Sequence, residues 1–199
     1  MPHLYHRTLG ILLCMLALLP AAQTHAVAYC ALRDPVGTIA HFYPDYTSYT
    51  AVDGTVNLEV RALLNEHLSN LHFSEFGKHT LYVVYQNGEL VGYVHARTEK
   101  GDWGLDEMVW ALNPDLTVSD FRFQRSRSQG RDLTESPQFV AWLNGRSVDD
   151  IVGLLDDSGN FLKSRPDFIP QSHELMATRV LRSAVKTILI TGHVWPQSS

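Results

Sequence analysis

The sequence predicts an α+β fold in which an antiparallel β-meander packs against helices. Two observations support this prediction. Four runs rich in β-branched and aromatic residues follow one another through the middle of the chain, and turn-forming residues separate them. A later segment repeats apolar residues at helical spacing, as a helix that covers one face of a sheet does. The predicted strands are residues 80–85, 90–96, 105–112 and 116–124, and the predicted covering helix begins at Ser172.

The N-terminus has the three parts of a secretory signal peptide. Arg7 supplies a positive charge, residues 11–19 are apolar, and the Ala-Val-Ala tripeptide at 26–28 fits a cleavage site. A transmembrane anchor would need about 20 apolar residues, more than this run provides. We therefore expect residues 1–28 to be a signal peptide, cleaved after residue 28 or 26. The mature protein is then periplasmic or secreted, with no transmembrane segment left after cleavage.

The net charge of the predicted mature chain bears on which kinds of partner it can bind. Removing Arg7 with the signal leaves 15 basic residues against 21 acidic ones, so the formal net charge moves from −5 to −6. A nucleic-acid-binding domain normally has a basic surface, and so does a protein that docks on anionic lipid. The composition therefore argues against both partners.

Cysteine is sparse for an exported chain. Cys14 lies in the predicted signal, so Cys30 is left without a partner in the mature protein. No disulfide framework is expected, and stability has to come from the apolar core. Three interpretations of Cys30 stay open: a small buried residue, an intermolecular disulfide or a reactive thiol.

Residues 29–75 are predicted to be a helical and irregular segment ahead of the meander. A short element is expected over residues 36–42, followed by irregular chain rich in turn-forming and aromatic residues. Apolar residues recur at helical spacing between positions 56 and 68, which predicts an amphipathic helix.

The meander, within a predicted domain of residues 76–192, carries the clearest local signals. Asn87-Gly88 separates the first two predicted strands, and Asn-Gly between such runs is a strong hairpin signal. Met108 and Trp110 share one face of the third predicted strand. Phe121 and Phe123 share one face of the fourth, between polar neighbours. This alternation predicts a sheet with one strongly apolar face.

An arginine-rich loop, residues 125–134, follows the meander. One interpretation is an ordinary solvated loop. The other is an anion site, because several guanidinium groups near one turn can bind a phosphate or a carboxylate. Both interpretations stay open for Arg125, Arg127 and Arg131.

Helices are predicted for most of the rest of the chain. Pro137 opens a short helix that Gly145 closes, and a second short helix spans residues 148–155. Ser172 is the expected N-cap of the long helix, whose apolar positions start at Leu175. Residues 193–199 are expected to be a loose tail.

Sequence motifs of common enzymes and metal sites are missing. The chain has no G-x-S-x-G, no H-E-x-x-H, no phosphate loop and no paired C-x-x-C. The closest histidines that follow the signal are His67 and His72, whose spacing of five fits helical metal ligation poorly. No metal site is predicted, and the sequence leaves open whether the chain is an enzyme.

The meander and the segments after it resemble a known family, the FMN-binding domain found in flavoprotein subunits of Rnf and sodium-pumping quinone reductase complexes. The resemblance covers residues 80–190, roughly two thirds of the predicted mature chain. It implies an FMN-binding-domain-like α+β fold. The matching stretches are Leu81-Tyr82-Val83-Val84, Gly88-Glu89-Leu90-Val91-Gly92-Tyr93, Gly101-Asp102-Trp103-Gly104, Asn113-Pro114-Asp115-Leu116-Thr117-Val118, Glu135-Ser136-Pro137-Gln138-Phe139 and the helix that ends at Gly145-Arg146.

The family's S-G-A-T motif, whose threonine carries FMN as a phosphoester, aligns with residues 175–178. Ala177 and Thr178 match it, whereas Leu175 and Met176 replace the serine and the glycine. Small residues leave backbone N–H groups open to a phosphate, and bulky ones are more typical of a core. The resemblance therefore implies non-covalent rather than covalent FMN. The implied cofactor-binding residues are Thr178, Ala177, Arg179, Arg182, Trp103, Gly104 and Glu135, with Arg179 or Arg182 near the phosphate. Trp110 and Tyr82 are further aromatic neighbours of the flavin ring.

Two hypotheses of function follow from the resemblance. The first is an exported flavin-dependent electron-transfer component with a redox or membrane-complex protein as its partner. In such a protein the cofactor does the chemistry and the chain supplies the pocket. The second is a flavin-free binding or assembly module that kept the fold and lost the cofactor site, which the replaced serine and glycine favour.

Overall fold

A five-stranded antiparallel sheet forms the centre of the computed structural model, which describes residues 35–71 and 77–195. The strands follow one another in chain order, each paired with the next, and helices pack on the sheet. The predicted α+β class and antiparallel meander are confirmed. The predicted signal peptide, Cys30 and His72 lie outside the described residues. The elements are α1 (Val36–Phe42), β1 (Ser48–Val56), α2 (Leu58–Asn65), β2 (Gly77–Gln86), β3 (Glu89–Gly101), β4 (Gly104–Leu112), β5 (Val118–Arg125), α3 (Arg131–Thr134), α4 (Pro137–Leu143), α5 (Val148–Leu154), a 3₁₀ turn (Gln171–His173) and α6 (Glu174–Val194).

The hairpin between β2 and β3 forms where the sequence predicts it. Asn87 and Gly88 have φ angles of 53° and 87°, and Gln86 pairs with Glu89 on either side of them. Two consecutive residues with positive φ are the requirement of a type I′ turn, whose twist matches that of the two strands. Asparagine and glycine are the residues that tolerate this conformation best.

Strand β1 is the main feature that the sequence analysis missed. Irregular chain is predicted after Phe42, but Ser48–Val56 pairs with β2 along its whole length. Almost every side chain of β1 is exposed, so the strand lacks the alternation of apolar and polar residues that reveals a half-buried strand. Helix α2 accordingly starts at Leu58, and Asn57 caps it by accepting hydrogen bonds from the N–H groups of Glu59 and Val60.

The apolar face of the sheet is the predicted one. Met108, Trp110, Phe121 and Phe123 are all buried in the same cluster, together with the inner face of α6. The Trp110 ring stacks on the Phe121 ring at 4.8 Å, and its indole N–H donates to the hydroxyl of Ser183 in α6 at 3.0 Å. Large aromatic side chains bury much apolar surface, so this layer is the principal hydrophobic core.

Helix α1 covers the opposite face of the sheet. Its Ile39 is fully buried. Because α1 and α6 lie on different faces, the central strands are buried on both sides. The sheet residues packed in the cluster of Ile39 are Val84, Val94, Ala96 and Val109.

Helices α4 and α5 begin as predicted, whereas α3 lies in the predicted loop of residues 125–134 and α6 does not begin at its predicted cap. The Ser136 hydroxyl accepts from the N–H of Phe139 at the start of α4. At α6, residues Gln171–His173 first form a 3₁₀ turn, so His173 rather than Ser172 occupies the N-cap position. The Ser172 hydroxyl lies 3.0 Å from Nδ1 of His173. At its other end α6 reaches Val194, so the helix continues into the predicted tail.

Polar groups are buried where α6 crosses β3. Lys186 forms an ion pair with Glu99, and both side chains are almost fully buried. Nearby, the two ring nitrogens of His95 lie 3.1 Å from the Thr191 hydroxyl and 3.2 Å from Nδ1 of His79. Buried polar groups are costly unless paired, so these contacts restrict how the helix can sit on the sheet.

Gly88→Ala is expected to lower the free energy of unfolding by about 1 kcal/mol, because a Cβ opposes the positive φ of the turn. Gly153→Ala in α5 is the matched control. A Cβ there would meet no atom within 4 Å, and alanine favours helix over glycine by about 1 kcal/mol. Urea denaturation measures the free energy of unfolding of both variants. Gly88→Ala should lower it and Gly153→Ala should not, so a change of the same sign in both variants would contradict the prediction.

The free energy of unfolding is expected to decrease as the pH is lowered below about 6.5, the ordinary pKa of histidine. Burial lowers the pKa of His95 well below that value, and the charges on His79 and Arg97 lower it further. As the pH falls through 6.5, His95 is protonated in the unfolded chain but stays neutral in the folded protein. The contribution of neutral His95 to stability is therefore fully present above pH 6.5 and is lost as the pH falls.

Urea titrations between pH 7.5 and 5 measure this effect, whose slope for one proton is at most about 1.4 kcal/mol per pH unit. His95→Gln should flatten the dependence, and His193→Gln, at an exposed position of α6, should not. A dependence that survives unchanged in His95→Gln would assign it to another group.

Candidate functional site

Three large apolar side chains are exposed on or beside α6. Trp103 is 80% exposed, Phe161 is 64% exposed and Leu175 is 56% exposed. Single exposed apolar residues are common, but large ones gathered on one surface are typical of binding sites. We use the name α6 surface for five residues, namely Trp103, Phe161, Leu175, Arg179 and Arg182.

The outward face of α6 contributes Leu175, Arg179 and Arg182 to this surface. Residues spaced by four and three lie on the same side of an α-helix. The prediction that Leu175 is a core residue is wrong, because its side chain is exposed. Helix α6 starts only at Glu174, and Leu175 in its first turn faces away from the sheet, whereas the next residue, Met176, is buried.

Arg179 fixes the turn that carries Trp103. Its guanidinium donates to Oδ1 of Asp102 at 2.8 Å, and this contact lowers the pKa of that carboxyl. Oδ2 of Asp102 accepts from the N–H of Gln129, and the Asp102 N–H donates to the Ser128 hydroxyl. The residue before Trp103 is therefore held at three points while the indole itself remains in solvent.

The hydroxyl of Ser128 links this turn to the interior. It donates to Oδ2 of Asp106, a buried carboxylate on β4, at 2.8 Å. Gly104, on the far side of Trp103, has a φ of 124°, a conformation that residues other than glycine rarely adopt. The turn is thus set by glycine geometry and by charged hydrogen bonds.

Arg182 anchors the loop that carries Phe161. Its guanidinium donates to the carbonyl of Gly159, to Oδ1 of Asn160 at 2.9 Å and to the carbonyl of Ser69 at 2.7 Å. Asp156 tightens the same loop by accepting from the N–H groups of Asn160 and Phe161. Two arginines of one helix face therefore each hold a loop next to an exposed aromatic side chain.

Thr178 and Ala177 lie on the buried side of α6. Thr178 is 2% exposed, and its hydroxyl donates to the carbonyl of Glu174, four residues earlier, at 2.9 Å. It is the fifth residue of the helix, so its own N–H lies beyond the free N–H groups of the first turn. The hydroxyl is therefore neither exposed nor unpaired, as attachment of a phosphate would require.

Glu135 and two of the loop arginines have structural partners. Glu135 accepts from the N–H of Phe123 and pairs with Arg131, each at 2.8 Å. Arg125 pairs with the buried Glu107 at 2.7 Å. The three arginines therefore do not form one anion site.

Arg127 differs from the other two arginines. It is exposed, and the described residues include no carboxylate that pairs with it. It belongs to the same loop as Ser128 and Gln129, which bond to the turn of Trp103. Arg127 is thus a cation near the α6 surface that is available to an anionic ligand.

Two aromatic residues named from the sequence lie elsewhere. Trp110 is fully buried in the main core. Tyr82 packs with the cluster of α1 on the opposite face of the sheet, where its ring lies 5.9 Å from that of Tyr49. Of the aromatic residues proposed from the sequence, Trp103 alone belongs to the α6 surface.

Metal ligation and membrane crossing have no candidates in the part of the chain that the structure describes. Within residues 35–71 and 77–195, no three His, Cys, Asp or Glu side chains are grouped as metal ligands. None of the helices in these ranges has the length and apolar character of a membrane span.

Comparison of the chain with protein-family models and with curated proteins gave no match.

Phe161 and the loop that presents it were not predicted as part of a site from the sequence. The available signal was the run Asp156-Asp157-Ser158-Gly159-Asn160, whose residue types favour tight, self-bonded turns. An aromatic residue directly after such a turn is a candidate for exposure. Its anchoring to Arg182 depends on a contact between distant parts of the chain, which the local pattern does not reveal.

Asp102→Asn is expected to loosen the Trp103 turn without unfolding the protein. Exposed or half-exposed ion pairs contribute up to about 1 kcal/mol, so the melting temperature should change little. Hydrogen exchange at the amides of Trp103 and Gly104 should speed up, because the Arg179 anchor is weakened. Asp157→Asn, at an exposed aspartate of the other loop, is the control. Equal exchange rates in the two variants would show that the anchor has no local effect.

Proposed function

We propose that this chain is an exported FMN-binding-domain-like protein that holds FMN non-covalently on the α6 surface and takes part in electron transfer. The resemblance of residues 80–190 to the flavoprotein family motivates the cofactor. The antiparallel sheet covered by α6 is compatible with that family's architecture. Flavin would supply the redox chemistry, and the chain would supply the ring contact, the charge and the orientation.

The observation that carries the proposal is Trp103. An indole that is 80% exposed on a turn with three hydrogen bonds at the preceding residue is a preformed platform for a planar ring. Stacking of aromatic rings contributes about 0.5–1.5 kcal/mol beyond the burial of area. Because the residue before Trp103 is already held, binding of a ligand does not have to order the backbone of the turn.

Arg127 is the proposed partner of the FMN phosphate. Arginine binds phosphate through charge-assisted, bidentate hydrogen bonds. From the sequence, the phosphate was expected near Arg179 or Arg182, but both guanidiniums already hold loops. Within residues 35–71 and 77–195, Arg127 has no carboxylate partner, and it lies in the loop that bonds to the Trp103 turn.

The attachment is proposed to be non-covalent because of Thr178. Its hydroxyl is buried and donates to a backbone carbonyl, so a phosphoester there would require the helix to open. Thr178→Val should therefore leave flavin binding unchanged.

A second candidate is a flavin-free binding or assembly module that uses the same surface for a protein partner. Its support is that Leu175 and Phe161 are exposed, as Trp103 is, and that arginines of α6 hold the two loops that carry Trp103 and Phe161. Three apolar anchors bordered by arginines are common at protein interfaces. FMN binding distinguishes the two candidates.

The test is titration of the exported protein with FMN, followed by tryptophan fluorescence and by thermal stability. Bound ligand at 100 times its dissociation constant stabilises the fold by about 2.7 kcal/mol. Trp103→Ala should weaken binding about tenfold, and Trp103→Phe, which keeps a ring, should weaken it less. Acid precipitation should release all the flavin from the chain.

Riboflavin is the matched control ligand, since it lacks the phosphate. Arg127→Gln should weaken FMN binding several-fold and leave riboflavin binding unchanged. If neither FMN nor riboflavin changes the fluorescence or the thermal stability at high concentration, the flavin proposal is excluded and the assembly module remains. A covalent adduct at Thr178 would contradict the assignment of the attachment.

A further inference from the structure

The two edges of the sheet differ in whether their backbone groups are already hydrogen-bonded. At one edge, groups outside the sheet form hydrogen bonds with the backbone of β5. The N–H of Phe123 donates to Glu135, the N–H of Val118 donates to the carbonyl of Arg146, and the N–H of Gly145 donates to the carbonyl of Val118. Two register shifts also interrupt the pairing of β5 with β4. Bulges and covering segments of this kind prevent a further strand from adding.

At the other edge, β1, the described part of the chain provides none of these protections. Its nine residues pair with β2 without a register shift. Among the described residues, no group outside the sheet donates to or accepts from the backbone of Ser48–Val56. The strand contains no lysine and no proline, which proteins commonly use to block strand addition, and its only charged residue is Asp53.

We propose that β1 pairs antiparallel with β1 of a second copy of this chain, about a two-fold axis at Ala51. The two five-stranded sheets then join into one continuous sheet. In this register Ala51 faces its own copy, and Tyr49 of each copy faces Asp53 of the other. The surface is separate from the α6 surface, so the proposal does not depend on the proposed function.

Charge is the reason for choosing a second copy in this register. Each Asp53 lies opposite Tyr49 of the other copy rather than opposite a like charge, and its carboxylate accepts from the Thr80 hydroxyl at 2.8 Å on its own sheet. The two Asp53 residues lie four positions apart along the joined strands, roughly 14 Å at strand spacing. That distance exceeds the Debye length of about 8 Å at physiological salt, so their repulsion is largely screened.

Exposed side chains beside the edge support the same pairing. Tyr49 and Val52 are among the large apolar residues that remain exposed, and the rings of Tyr46 and Tyr49 lie 6.3 Å apart. A two-fold pairing places these side chains beside the strand of the other copy and pairs both open edges at once. A strand from a different protein would close only one edge for each binding event.

Sedimentation of the exported protein over a range of concentrations is the first test. We expect the unchanged chain to dimerise reversibly. Ala51→Lys should sediment as a monomer at concentrations where the unchanged chain is dimeric, because two like charges would face each other across the pair. Ala62→Lys, at an exposed alanine of α2, is the matched control and should still dimerise. A chain that stays monomeric at every concentration would overturn the proposal.

Disulfide trapping is the second test and reports the register. Opposed residues of an antiparallel pair have Cα atoms about 4.5–5.5 Å apart, within the range that a disulfide spans. In a Cys30→Ser background, Ala51→Cys should form a covalent dimer on oxidation and Ala62→Cys should not. Equal cross-linking of the two, or a dimer trapped by Val52→Cys but not by Ala51→Cys, would overturn the proposed pairing.

Discussion

The contact between α6 and the central strands determines much of the rest of this structure. Trp110 donates to Ser183, Glu99 pairs with Lys186, and His95 lies against Thr191. A rotation or slip of the helix by one residue would leave several buried polar groups without partners, at a cost of several kcal/mol. These contacts therefore fix the rotation of α6, and with it the direction in which Leu175, Arg179 and Arg182 face.

The elements that could be predicted from the sequence are those with local signals. Asn87-Gly88 marks the hairpin because only a few residue types accept its backbone angles, and Ser136-Pro137 marks the start of α4 through its cap. Strand β1 could not be predicted, because an exposed edge strand need not alternate. The N-cap of α6 was displaced because a 3₁₀ turn precedes the helix and its residues carry no distinctive signal.

The candidate site was only partly predictable, because its contacts join distant parts of the chain. Trp103, Arg179 and Arg182 were predicted from the sequence as site residues, but the arginines hold loops where a phosphate contact was expected. The bond from Arg179 to Asp102 spans 77 positions, and that from Arg182 to Ser69 spans 113. Residue types suggested charge and stacking, whereas the pairing of each charge depends on tertiary packing.

The anchors of the two loops on α6 are separate from the residues that the loops present. Arg179 holds the carboxylate of Asp102, and Arg182 holds mainly backbone carbonyls, so neither depends on the indole of Trp103 or the ring of Phe161. The tips can therefore change by mutation while the scaffold keeps its shape. Such a surface is evolvable in the way that antibody loops are, because recognition can diversify at positions that contribute little to folding.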